Sequence, residues 1–309
     1  MRWAVALLAC CSAQRREVLE GVEVVWQAPP AAPKGLVALF HASGRNARHW
    51  WSQSPQCETC RPLPAESLIT QACLRHGLVT VALTAQTTTW TPEDGAPVAH
   101  ALVALSTREG WKLPLYAVGV ESGAAFVTTT LGRALPPSLV LKGAHLQLLD
   151  GDFPLIRHVA ARVAVLSMPR DAQTARSVLG AVRSWRRGGA TVLEHRCAPL
   201  ALDEAYFAQT LIGVSGEESR ALVKMLRVAG YVSGGGFLLA DPAQSSWHGV
   251  VSAPLGRRGA QELGTLRVVA RDGLHDRASA LGAALARAYG RSEACADHAD
   301  AALAFLLEE

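Results

Sequence analysis

No stretch of this 309-residue chain approaches the roughly 20 consecutive apolar residues that a membrane-spanning helix needs. Charge of one sign is scarce as well. The formal net charge is +4, and apart from Arg15-Arg16 and the group Arg183, Arg186 and Arg187 the basic residues are scattered. A weak, dispersed excess of this kind describes a solvated surface rather than a nucleic-acid footprint. No internal repeat is present, so solenoids and propellers are excluded. Charged residues make up only 18% of the chain and apolar ones 50%. That balance excludes a disordered chain and leaves ample apolar material for a sizeable core. No cofactor pattern stands out.

What is present is an alternation of apolar runs and helical patterns. Strands are expected over 21–26, 35–40, 78–83, 115–120, 138–149, 163–168 and 190–197. Helices are expected over 65–76, 96–109, 122–131 and 172–187. Gly35 to Phe40 and Leu115 to Val120 are continuously apolar, which suits strands covered on both faces. The pattern predicts a three-layer α/β fold with a mostly parallel sheet. From Asp203 onward it changes to helices over 203–210, 217–228 and 277–289, broken by Ser233-Gly234-Gly235-Gly236 and Asp241-Pro242, with no expected strand. The domain reading is a core over 14–202, a helical insertion or cap over 203–270, and a loop plus closing helix over 271–309.

Residues 1–13 carry one positive charge, a short apolar run and small residues near the end. They read as a compact signal peptide, which would direct the chain to the secretory route or an endomembrane lumen. Five of the seven cysteines lie beyond it, enough for two bridges and one thiol in an oxidising compartment. Cys57-Glu58-Thr59-Cys60 lies in a Pro- and Ser-rich loop, not after a strand at the start of a helix, so a structural disulfide is expected rather than a redox centre. Zinc would need further ligands, for which His49 and Cys73 are the nearby candidates; no metal site is assigned.

The chemistry-bearing stretch is Val118-Gly119-Val120-Glu121-Ser122-Gly123-Ala124. An apolar strand, a tight turn with small residues two places either side of its centre, and a helix make a nucleophile elbow. Gly119 and Gly123 are the small residues, so the centre is Glu121, where a serine hydrolase has Ser. Centring the turn on Ser122 instead would put branched Val120 at the −2 position. A carboxylate beside an oxyanion site repels the charge that develops there. At ~4 Å and an effective dielectric of about 20 this is of order 4 kcal/mol, about a thousandfold in rate. Glu121 could instead act as a carboxylate nucleophile. The remaining candidates follow from chain order. Asp171, after the strand 163–168, is the candidate acid and also a candidate N-cap of the next helix. His275, in a loop before the helix expected over 277–289, is the candidate base. His195 lies inside a strand and reads as a residue satisfied within the sheet. The oxyanion donors are expected from Ala42 and Ser43, in the loop after the strand 35–40, and from Ser122.

These residues resemble the α/β-hydrolase superfamily proteins of plants and green algae whose elbow reads Gly-Ala-Ser-Ser-Gly-Gly. The likeness runs through Leu39-Phe40-His41, Trp50-Trp51, the Cys57–Cys60 loop, Leu115 to Gly119, Ser122 to Val127, Met168-Pro169-Arg170-Asp171, the Cys197 region and Leu274-His275-Asp276. It implies an α/β-hydrolase fold, with roles for Asp171 and His275. At the elbow the family's first Ser matches Glu121 and its second matches Ser122. Two functions follow as expectations. One is an acyl or ester hydrolase using Ser122 or Glu121, Asp171 and His275. The other is a hydrolase-like binding or interaction protein without catalysis.

Overall fold

The computed structural model describes residues 14–147, 161–252, 279–291 and 293–308. Its centre is one eight-stranded sheet in the order β1-β2-β4-β3-β5-β6-β7-β8. The strands are β1 (Arg15–Leu19), β2 (Val22–Gln27), β3 (Gly35–Phe40), β4 (Leu78–Leu83), β5 (Leu115–Val120), β6 (Leu141–Gln147), β7 (Arg162–Ser167) and β8 (Thr191–Arg196). β1 and β2 pair antiparallel, as do β2 and β4, and every later pairing is parallel. The carboxyl ends of the parallel strands therefore open on one edge, where such folds place their ligands.

The two continuously apolar runs became β3 and β5, and the expected strand over 78–83 became β4; all three are buried at every position. Helices cover both faces of the sheet. One apolar cluster joins α2 (Gly95–Arg108) and the helix Ala172–Arg187 to one face. A second joins α1 (Pro64–Arg75) and the helix Ala299–Leu307 to the other. Gly77 ends α1 with φ +80°, a backbone conformation that glycine adopts without strain. Among the described residues no helix is long and apolar enough to cross a membrane.

Three details differ from the sequence-based expectation. A strand, β1, precedes the first expected one, joined to β2 through Glu20 and Gly21, both at positive φ. The region after Asp203 holds a small bridge, Val232 to Leu238, where no strand was expected. The helix Ala280–Tyr289 does not close the core. Leu281, Ala284, Leu285 and Ala288 join a third apolar cluster with Leu202, Phe207, Leu222 and Leu226. The helix that lies against the sheet is Ala299–Leu307.

Candidate active site

The elbow forms as the glycine spacing requires. Glu121, immediately after β5, has φ +52° and ψ −113°. Non-glycine residues avoid this region at a cost of about 1–3 kcal/mol. A Cβ on Gly119 would lie 2.7 Å from Ala124 Cα, and one on Gly123 would run into the Phe40 carbonyl of β3. These contacts leave the turn one frame, with Glu121 at its apex. Ser122 is the first residue of α3 (Ser122–Phe126), and its Oγ is buried with no hydrogen-bond partner among the described residues. Beyond α3 the helix widens to π-type winding over Val127–Leu131, where the Thr128 and Thr129 hydroxyls both donate to the Ala125 carbonyl at 2.8 Å.

The loop after β3 comes up against this apex. The Ser43 N–H donates to Glu121 Oε2 at 3.1 Å. An expected oxyanion donor thus has the elbow's own carboxylate as its acceptor. The loop is held from several sides. Ser43 Oγ lies 3.1 Å from Thr89 Oγ1, and Gly44 N–H donates to the Thr88 carbonyl at 2.7 Å. Trp90 Nε1 donates to the His41 carbonyl at 3.0 Å, and its ring packs with Phe40 and Phe126 beneath the turn. His41 is buried. The Ala85 N–H donates to its Nε2 at 3.1 Å, so Nδ1 carries the hydrogen and donates to the Ala42 carbonyl at 2.8 Å. Burial pushes its pKa down to about 4, and it stays a neutral brace at physiological pH.

Asp171 lies past β7 on the same sheet edge and caps the helix Ala172–Arg187. Its carboxylate accepts the Thr174 N–H at 3.1 Å. The capping role is therefore present, and it fixes where an acid would stand. β5 and β7 are separated only by β6, so the elbow and the acid turn are about two strand spacings, ~10 Å, apart along the edge. His275 lies outside the described residues. His195 sits on the edge strand β8. Its ring stacks on His298 with centroids 4.4 Å apart, and its Nε2 has no partner among the described residues. It is therefore not the satisfied sheet residue that the sequence suggested.

Two bridges and one thiol form, as the cysteine count allows, and the structure supplies the pairing that the sequence left open. Cys57 joins Cys60, Cys197 joins Cys295, and Cys73 is a free, buried thiol whose pKa burial raises. With the CxxC sulfurs joined, the zinc alternative has no thiolates there. His49, one of the two further candidates beside Cys73, accepts the Asn46 N–H through Nδ1 at 3.1 Å. Cys197, Cys295 and Asp297 cluster at metal-ligand distances, but two of the three are the second disulfide.

No family model matches the sequence, and no curated protein matches it. Solved structures with a similar fold include a hormone-sensitive lipase from a metagenome library (14% identity, 61% of this chain and 75% of that one, TM-score 0.44). A highly thermostable carboxyl esterase from Bacillus coagulans is another (11% identity, 60% and 89%, TM-score 0.42). A third is an esterase/lipase from an uncultured bacterium (12% identity, 72% and 83%, TM-score 0.43). Similarities this low say nothing of substrate. The strand order, the antiparallel second strand, the helices on both faces and the strained strand–turn–helix after β5 carry the assignment, and they give this chain the α/β-hydrolase fold.

Proposed function

We propose that this protein is a hydrolase-fold binding protein in which Glu121 fills the oxyanion site, so that a small molecule is bound without ester hydrolysis. The bond from Ser43 N–H to Glu121 Oε2 carries the reading. An ester carbonyl entering the site would have to displace a carboxylate from the donor that should stabilise its own developing charge. Glu121 supplies an acceptor fixed by the Ser43 N–H, and the Ser43 hydroxyl is itself paired with that of Thr89. The Cys57–Cys60 loop and the Met168–Asp171 turn support placing the chain with the plant and green-algal group it resembles. The two disulfides fit an oxidising lumen or the cell exterior, as the reading of residues 1–13 as a signal peptide implies.

One observation favours the other reading, an acyl or ester hydrolase. The elbow keeps its strained apex, and such strain concentrates at working sites. In that reading the Glu121 carboxylate, or the Ser122 hydroxyl, attacks the ester carbonyl. His275, oriented by Asp171, takes the Ser122 proton on the serine route, or starts protonated on the Glu121 route, and gives that proton to the departing alkoxide; water then cleaves the acyl-serine or the anhydride. Turnover of short-chain p-nitrophenyl esters separates the two. The binding reading predicts no hydrolysis above background in the wild-type protein. Hydrolysis that is lost in Ser122→Ala or Glu121→Gln would establish the catalytic one.

A further inference from the structure

Arg45 stands two residues beyond Ser43, at the far end of the loop that meets the elbow. Its buried guanidinium faces two carboxylates. Nη1 bonds Glu66 Oε1 of α1, and Nη2 lies 2.6 and 2.8 Å from the two oxygens of Glu293. Glu66 and Glu293 are themselves buried. Glu66 Oε2 has no partner among the described residues, while Glu293 Oε1 also accepts the Ala294 N–H at 2.8 Å. One positive and two negative charges in a dry site leave a net negative charge, which is expensive unless a proton is taken up. Burial raises the Glu293 carboxyl. Arg45 opposes this, Glu66 adds to it, and the result is pushed up to about 7.

Glu293 belongs to the neck of the helical region. That region leaves the core at Cys197 and returns at Cys295, and the two cysteines are bonded to each other. The Cys295 peptide is held to β6 at both ends, its N–H donating to Gln147 Oε1 at 2.8 Å and its carbonyl accepting from Gln147 Nε2 at 2.9 Å. Arg287 Nη1 donates to the Ala198 carbonyl, and the Leu200 N–H to that of Ala288, both at 2.9 Å. Glu293 is where this pinned base touches the oxyanion loop.

We propose that Arg45, Glu66 and Glu293 form a pH-sensitive latch through which the neck of the helical region holds the oxyanion loop. It is closed while Glu293 carries a proton and loosened when its carboxylate is charged, with Glu66 against the same guanidinium. The groups facing Glu293 are Arg45 from the loop after β3 and Glu66 from α1. Tyr206 of the helix Tyr206–Thr210 feels Glu293 together with Arg287 and Asp297. A carboxyl raised in the folded state from 4.5 to about 7 gives stability that is complete below pH 4.5. That stability is lost as pH rises to about 7, and no further change follows above it.

Hydrogen exchange of the full, disulfide-intact chain at pH 5 and 7.5 reads the latch. After correction for the intrinsic rate, exchange in 41–46 and 281–291 should rise at least about tenfold across that interval in the wild-type protein. It should be flat in Glu293→Gln, which keeps a partner for Arg45 and cannot titrate. An unchanged wild-type ratio, or the same rise in Glu293→Gln, overturns the latch. If that variant does not fold, infrared titration of the wild-type protein decides. A protonated-carboxyl band lost with a midpoint near 7 supports the latch, and the absence of such a band over pH 5–7.5 refutes it. Neither readout uses a ligand or an ester, so its outcome is independent of the proposed function.

Discussion

Replacing Glu121 by Ser is the perturbation that the elbow geometry makes most informative. On the proposed reading, two obstacles coincide at one position in the wild-type chain. The carboxylate is negative where a tetrahedral oxyanion would be negative, a repulsion of order 4 kcal/mol at ~4 Å and an effective dielectric of about 20. It also occupies the Ser43 N–H at 3.1 Å, and one such donor is worth about 10²–10³ in rate. Glu121→Gln removes the first obstacle only, because an amide oxygen can still accept from Ser43 and no nucleophile is gained. Glu121→Ser removes both and puts a hydroxyl at the apex, between glycines that already accommodate it. With p-nitrophenyl butyrate as substrate, Glu121→Ser should exceed both the wild-type protein and Glu121→Gln by at least about a hundredfold in kcat/KM. A folded Glu121→Ser protein no more active than Glu121→Gln would refute the reasoning that elbow, acid turn and His275 form one site with a single defect.

Other consequences are structural. Gly123→Ala drives a methyl into the Phe40 carbonyl and should lower stability by about 1–3 kcal/mol, visible as a reduced midpoint in urea. Breaking Cys197–Cys295, whose partners are 98 residues apart, should cost about 4–5 kcal/mol by loop entropy. Breaking Cys57–Cys60, with a separation of 3, should cost much less. Comparing urea midpoints of Cys197→Ser with Cys295→Ser and of Cys57→Ser with Cys60→Ser, each pair made as a double variant, checks the order.

How much of this was legible in the sequence depended on whether the signal was local. β3, β4 and β5 announced themselves because strands covered on both faces are apolar nearly throughout. The elbow frame was legible because steric crowding acts within two residues of the apex, and Asp171 because an N-cap acts within three. β1 was not legible. Arg15-Arg16-Glu17 is an exposed, charged edge strand without apolar alternation, the composition that protects a sheet edge from foreign pairing. The helix Ala299–Leu307 is apolar nearly all round, so it lacks the amphipathic stripe that marks a surface helix. Arg45 carried no signal either, since its partners lie 21 and 248 residues away and only the fold brings them together.

The central claim is that the elbow carboxylate occupies the oxyanion site of a hydrolase scaffold and leaves no reactive serine. Treating the wild-type protein and Glu121→Ser side by side with a fluorophosphonate, then mapping adducts by peptide mass spectrometry, tests it most directly. The account predicts no adduct on wild-type Ser122 and a stoichiometric one at position 121 of the variant. An adduct on Ser122 of the wild-type protein would contradict it.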